Sequence, residues 1–352
     1  MSAPPLSDAT FNRRVVRVTL IVAGVAAIVW FLWTIHYALL LAFGAVLFAV
    51  FLRGIGGLLH RHARLPIRWA VLVVLVAFLA LLGLAGTLAG AAVVRELSEL
   101  GTALEQGLAR ARESLGRTEW GRELLDRAAK GLPGAGSILS RVPLAFGMAL
   151  DLVVGLAVVL FTGIYLAVMP EVYIRGAVRL VPPVHQDRAR DVLQATGQAL
   201  WKWLIGRFVV MAIVSVVTTV GLLLVGVPLA IPLGLIAGLL EFIPFFGSIA
   251  AGVPIVLVAL TSGPDTALHA LLLVLAIQQI EGNVLEPLVE QKAVSVPSAL
   301  IMVAAIAFTL VFGILGAVFA TPLLVVAMVF IQRLYVRDAL GQEPRKGSMV
   351  HD

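Results

Sequence analysis

The run Leu239-Leu240-Glu241-Phe242-Ile243-Pro244 places a carboxylate inside an apolar stretch, three residues before a proline. Glu241 is the only ionisable residue between Arg207 and Asp265. A charged side chain at the centre of a membrane helix costs roughly 2.5–3.5 kcal/mol on insertion scales, so such a residue is a functional candidate by default. A carboxyl held there can carry a proton or exchange it for a cation. Two plainer roles compete: reaching the headgroups, or accepting a hydrogen bond from backbone freed at the break. Phe242, Phe245 and Phe246, with Gly247 and Ser248, surround the carboxylate along the chain. A second polar cluster ends a later apolar run: Gln278, Gln279, Glu281, Asn283 and Glu286, followed by Pro287. Gln279, Asn283 and Glu286 share a helix face by the three/four rule. They suit either a pathway lining or a helix end meeting headgroups. A third group, Gly313, Gly316 and Pro322, supplies backbone breaks without side-chain chemistry.

Other chemistries find no support in the sequence. Cys 0 excludes disulfides and thiolate metal ligands. There is no Gly-rich phosphate loop with Lys, no Gly-x-Ser-x-Gly elbow and no His-Glu-x-x-His helix. His36, His185 and His269 are isolated, and His60 and His62 flank a basic stretch. We therefore expect no enzyme activity, no metal site and no cofactor other than a sodium ion or proton as coupling ion. The net charge of +6 comes without a nucleic-acid motif, so no nucleic-acid partner is expected.

The elements that must carry these residues are membrane helices. Of 352 residues, 61% are hydrophobic and 13% charged, against roughly 45–50% and about 25% in soluble domains. The fold class expected is an all-α polytopic membrane protein with about eight transmembrane helices. Residues 1–94 hold the N-terminus and three spans, the first two a hairpin turning near His36 and Tyr37. The second span is expected to end at Leu52, leaving Arg53–Arg68 as a basic loop. Residues 95–143 read as an extramembrane helical domain, with Glu113/Arg117 and Glu123/Arg127 four apart. A fourth span covers 144–169. Residues 170–207 read as amphipathic helices at the interface, with Trp201, Lys202, Trp203 and Arg207 suited to the headgroup level. Residues 208–332 form the core, and 333–352 a tail. Lys and Arg concentrate in the N-terminus, 53–68, 171–207 and the tail, which places all four on the cytoplasmic side and 95–141 outside.

Within the core, Pro228 and Pro254 stand 26 apart, and Pro297 and Pro322 stand 25 apart. Phe246-Gly247 and Phe312-Gly313 precede the later proline of each pair. We read 227–262 and 296–332 as two Pro/Gly-broken helical hairpins, a weak internal repeat. Paired interruptions in hydrophobic segments point to a transport site, because opened backbone is tolerated at membrane depth only beside protein or a water-filled cavity. The alternative is that these residues only kink and pack ordinary helices.

Gly226-Val227-Pro228, Gly234-Leu235-Ile236-Ala237-Gly238, Glu241-Phe242-Ile243-Pro244 with Gly247-Ser248, and Gly282-Asn283 with Glu286-Pro287 resemble the autoinducer-2 exporter family. Pro297, Gly313, Gly316 and Pro322 continue the resemblance. Family members often carry Asn where this chain has Glu241. The resemblance implies a bacterial inner-membrane transporter with about eight spans and a homo-oligomer, a pentamer among the candidates. It implies export of a small polar organic molecule such as the quorum signal autoinducer-2, or sodium–proton antiport. From the residues alone, a secondary transporter driven by an ion gradient competes with a non-transporting scaffold whose working part is 95–141. The partners expected are the lipid bilayer and a small-molecule or ion substrate.

Overall fold

The computed structural model describes residues 8–116, 142–244, 246–285 and 298–337. The described residues are helical, with no strand among them. Helix α1 (Asp8–Thr34) passes through Ile35 into α2 (His36–Ala63), and in place of the hairpin turn expected near His36 and Tyr37 there is a one-residue interruption, across which Ile35 N–H donates to Phe31 O and Leu39 N–H to Ile35 O. Helix α2 does not stop at Leu52 but runs through Arg53 to Ala63, closing on Arg64 in the left-handed region at φ 52°. Most of the expected basic loop is therefore helix. The hydropathy switch at Arg53 changes the solvent around the backbone, not its conformation.

The same reasoning corrects two further boundaries. Helix α3 (Ile67–Gly116) continues without a break past Arg95, for 50 residues or about 75 Å. It is far longer than a hydrocarbon core of about 30 Å, and its apolar run gives way to polar sequence at Arg95. Arg95 and Glu99 form an i,i+4 ion pair on that polar part. Glu113 lies on it too, while Arg117, Glu123 and Arg127 fall outside the described residues. Helix α4 (Val142–Val168) is followed by α5 (Pro170–Arg179), bent 87° from it. A short 3-10 turn at Pro183–His185 then leads into α6 (Gln186–Val225), 40 residues long. The sequence suggested an interfacial helix to Gly206 and a separate span from Phe208, but one continuous helix joins them.

Among the described residues, five helices are long and apolar enough to cross a membrane, or six if the bent α4–α5 pair is one span. Helices α7 (Ala230–Leu240) and α8 (Phe246–Ala259) are apolar but short, about 16 and 21 Å. They form the first hairpin, and α9 (Pro264–Ile280) packs against it. The last long element, α10 (Ser298–Phe330), has a non-helical residue inside it, Gly313 at φ 65°, ψ −149°. A Cβ on Gly316 would collide with the Phe308 carbonyl. Eight residues along a straight helix separate such groups by about 12 Å. The chain therefore folds back at Gly313, and α10 is the second hairpin, with arms 298–312 and 314–330. The expected all-α polytopic membrane class holds, with five to six candidate spans and further shorter apolar helices among the described residues. Pro254 and Pro322, expected to interrupt helices, sit inside helical backbone instead. The breaks fall at residues 241–244 and at Gly313.

Two cores hold the hairpins. Leu222, Leu233, Ala237, Ile255, Val258 and Ala270 bury the first hairpin between α6 and α9, with Leu100 of α3 at its edge. Leu40, Leu47, Leu200, Leu204, Val325 and Val329 bury the second against α2 and α6. Helix α6 is common to both.

Candidate functional site

Helix α7 meets α6 through glycines. A Cβ on Gly238 would fall 2.6 Å from the Met211 carbonyl oxygen and 2.5 Å from the Ser215 Cβ, and one on Gly234 would meet the Thr219 backbone. This four-residue repeat of Gly lets the helix backbones touch, as small residues do at membrane helix interfaces. The contact fixes the level at which α7 ends against α6. Glu241, three residues past Gly238, then falls beside Arg207, one turn before Met211.

Arg207 Nη2 donates to Glu241 Oε1 at 2.9 Å. Glu241 is 0% exposed and Arg207 6%. The carboxyl of Glu281, 3% exposed at the end of α9, interacts with both. Three elements thus bring two carboxyls and one guanidinium into the buried interior. The group sums to −1 with both carboxyls ionised and to zero with one proton or monovalent cation bound. Glu241 Oε2 and Glu281 Oε1 are buried without a hydrogen-bond partner among the described residues. Ionised oxygens in that state cost several kcal/mol unless another group answers them. Glu241 also lines a cavity of about 20 Å³ with Thr218, Ser248 and apolar neighbours. That is room for one water-sized species.

The hairpin tip is closed by its own backbone. The Phe242 N–H donates to Leu239 O, Ile243 N–H to Leu240 O, and Gly247 N–H to Ile243 O. A Cβ on Gly247 would strike the Leu240 carbonyl, so this tight return requires glycine. Pro244 is buried in the turn. Phe242 packs edge-on against Trp203 of α6, ring centroids 5.7 Å apart.

The predicted residues separate into three groups. Glu241, Phe242, Pro244, Gly247, Ser248 and Glu281 meet at the first hairpin tip and the end of α9. Phe246 is exposed. Gln278 is half-buried, while Gln279 and Asn283 are exposed and bonded to each other, Asn283 Nδ2 donating to Gln279 O and Oε1. Glu286 lies outside the described residues. Gly313, Gly316 and Pro322 belong to the second hairpin, whose tip residue Phe312 stacks near His36 and Trp33 at the α1–α2 junction. Among the described residues no three His, Cys, Asp or Glu are grouped to hold a metal.

Arg207 is the residue that sequence reasoning misplaced, as an interfacial anchor. The available signal was charge complementarity: an intramembrane carboxylate calls for a named partner. Arg207 bounds the same apolar stretch that isolates Glu241.

The sequence profile described as AI-2E family transporter matches residues 19–336. The chain is 25% identical over 209 residues to "Putative transport protein YueF" of Bacillus subtilis (strain 168), covering 59% of this chain and 57% of that one. It is 29% identical over 143 residues to "Putative transport protein YrrI" of the same strain, covering 41% and 40%. It is 33% identical over 177 residues to "Putative transport protein MT0215" of Mycobacterium tuberculosis (strain CDC 1551 / Oshkosh), covering 49% and 47%. The matches span about half the length of these curated relatives. With a profile match over nearly its whole length and two broken apolar hairpins in an all-α membrane fold, the chain belongs to the AI-2E transporter family.

Proposed function

We propose that this chain is a secondary transporter of a bacterial cytoplasmic membrane, and that the Arg207–Glu241–Glu281 cluster is where an ion gradient drives it. The observation that carries the reading is the buried 2.9 Å pair at the point where the first hairpin breaks, with a second carboxyl beside it. A charge that can be neutralised by one proton or one cation has two states, and two states are what coupling requires. Binding of the ion would alter how α6, the hairpin tip and α9 are held together, since each contributes one charged group. The cargo in the first reading is a small polar organic molecule such as autoinducer-2, exported between the hairpins by a homo-oligomer with cytoplasmic termini. The second reading is sodium–proton antiport. It is favoured by the 20 Å³ cavity, which fits an ion and would have to widen for an organic solute.

Purified protein in liposomes, under imposed sodium or proton gradients, tests both against a substrate panel that includes autoinducer-2. Gradient-dependent flux is expected, and Glu241→Gln should leave the protein folded while removing its pH or sodium dependence. Absence of flux of any cargo or ion under either gradient would favour a scaffold.

A further inference from the structure

A cavity of about 610 Å³ lies between α2, the bent α4–α5 junction and the N-terminal half of α6. Its lining includes neither the hairpin-tip residues nor Arg207, Glu241 or Glu281. Its volume falls within the range of small-molecule sites. The walls are mostly apolar, with Tyr173, Gln194 and Gln198 among them, and Arg53 is the single charged residue that lines it. Arg53 donates from Nη1 to Ala167 O at 3.1 Å, tying α2 to the last turn of α4. A guanidinium has five N–H donors, so this bond leaves others for an anion; the Glu171 carboxylate of α5 acts on Arg53 but is itself paired with Arg190 at 3.6 Å.

Two features make the space a built one. The Trp201 ring lies on the backbone of Gly54, where any Cβ would overlap it. Gly197, also in the wall, has nothing within 4 Å of where its Cβ would be. One glycine admits the aromatic floor and the other leaves the space open. The roof is α5, which runs at 87° to the α4 span and therefore along the membrane surface if α4 crosses it. An apolar chamber at that level, holding one cation, matches an amphiphile with an acyl chain and a single anionic head.

We propose that this cavity binds an anionic glycerophospholipid, its phosphate on Arg53 and one acyl chain along the apolar wall beneath α5. The lipid would join α2, α5 and α6 on the face rich in Lys and Arg. The test is retention of lipid by the full-length protein in native mass spectrometry, after exchange with phosphatidylglycerol or phosphatidylcholine of identical chains. Wild-type protein should retain phosphatidylglycerol about tenfold more than phosphatidylcholine, the scale of one charge-assisted hydrogen bond. Arg53→Gln should abolish that preference while chain-dependent retention persists. Gly197→Phe fills the cavity without touching the Ala167 bond, and in a helix it replaces a poor helix former. It should lose retention of both lipids, so the test survives even if Arg53→Gln fails to fold. Equal retention of the two lipids by wild type, or unchanged retention in Gly197→Phe, would overturn the proposal. So would displacement of the lipid by soluble glycerophosphate, which would make this a site for a free anion.

Discussion

At the scale of residues, the buried Arg207–Glu241 pair separates stability from function. Removing Arg207 leaves two carboxyls buried with no cation to answer them, at a cost of about 3–5 kcal/mol. Arg207→Ala should therefore lower the thermal midpoint of the detergent-solubilised protein and reduce its yield. Replacing a whole buried ion pair or triad by apolar residues of similar volume is often neutral. The triple variant Arg207→Met/Glu241→Leu/Glu281→Leu, which removes the whole cluster, should fold about as well as wild type and yet show no gradient-dependent flux in liposomes. A triple variant that transported like wild type would make the cluster a mere packing element. Glu241 was legible in the sequence because it stands alone in an apolar stretch. Arg207 was not, because its neighbours Trp201, Lys202 and Trp203 imitate an interfacial belt. The hydropathy of a segment says where its boundary lies, but only the Gly234/Gly238 contact brings α7 down far enough to pull Arg207 inside.

At the scale of elements, glycine geometry decides where the hairpins turn. Gly313 has φ 65° and ψ −149°, a region that residues with a Cβ enter only under strain, of order 1–3 kcal/mol. Gly313→Ala should destabilise the protein by about that amount in thermal unfolding, and Gly316→Ala should do so by pressing on Phe308 O. Gly238→Ala acts at a contact instead of a turn. It should force α7 from α6, cost about 1–3 kcal/mol as overpacking does, and weaken any transport that depends on the pair. The existence of two Pro/Gly-interrupted segments was readable from spacing. Which residue breaks each was not. A proline within a short helix loses one hydrogen bond that neighbouring elements can offset, so Pro254 and Pro322 stay helical. A glycine at positive φ reverses the chain, and nothing in the sequence distinguishes Gly313 from its neighbour Gly316.

At the scale of the whole molecule, the contacts at the hairpin ends orient the two hairpins against each other. Arg110, on the polar part of α3, donates to Leu260 O and Thr261 O at the exit of the first hairpin. That hairpin also begins directly after α6 ends, so both of its ends lie on the face that holds the polar part of α3. Arg188, at the start of α6, donates to Arg333 O just past the second hairpin. The tip of that hairpin reaches His36, where α2 begins. The second hairpin therefore opens from the face where α6 starts, opposite to the first. Both converge on the Leu200–Arg207 segment of α6, through Phe242 from one side and Val325 and Val329 from the other. Opposed broken helices meeting on a shared helix are the arrangement in which access can alternate between faces. The natural absence of cysteine makes the sidedness directly measurable. Single cysteines at Glu99→Cys and Ser262→Cys should react with an impermeant maleimide from one side of the membrane. Ala63→Cys and Arg337→Cys should react only from the other. Labelling of Ser262→Cys and Arg337→Cys from the same side would mean that the hairpins are parallel, and the cluster at Arg207 could not then be approached from both faces.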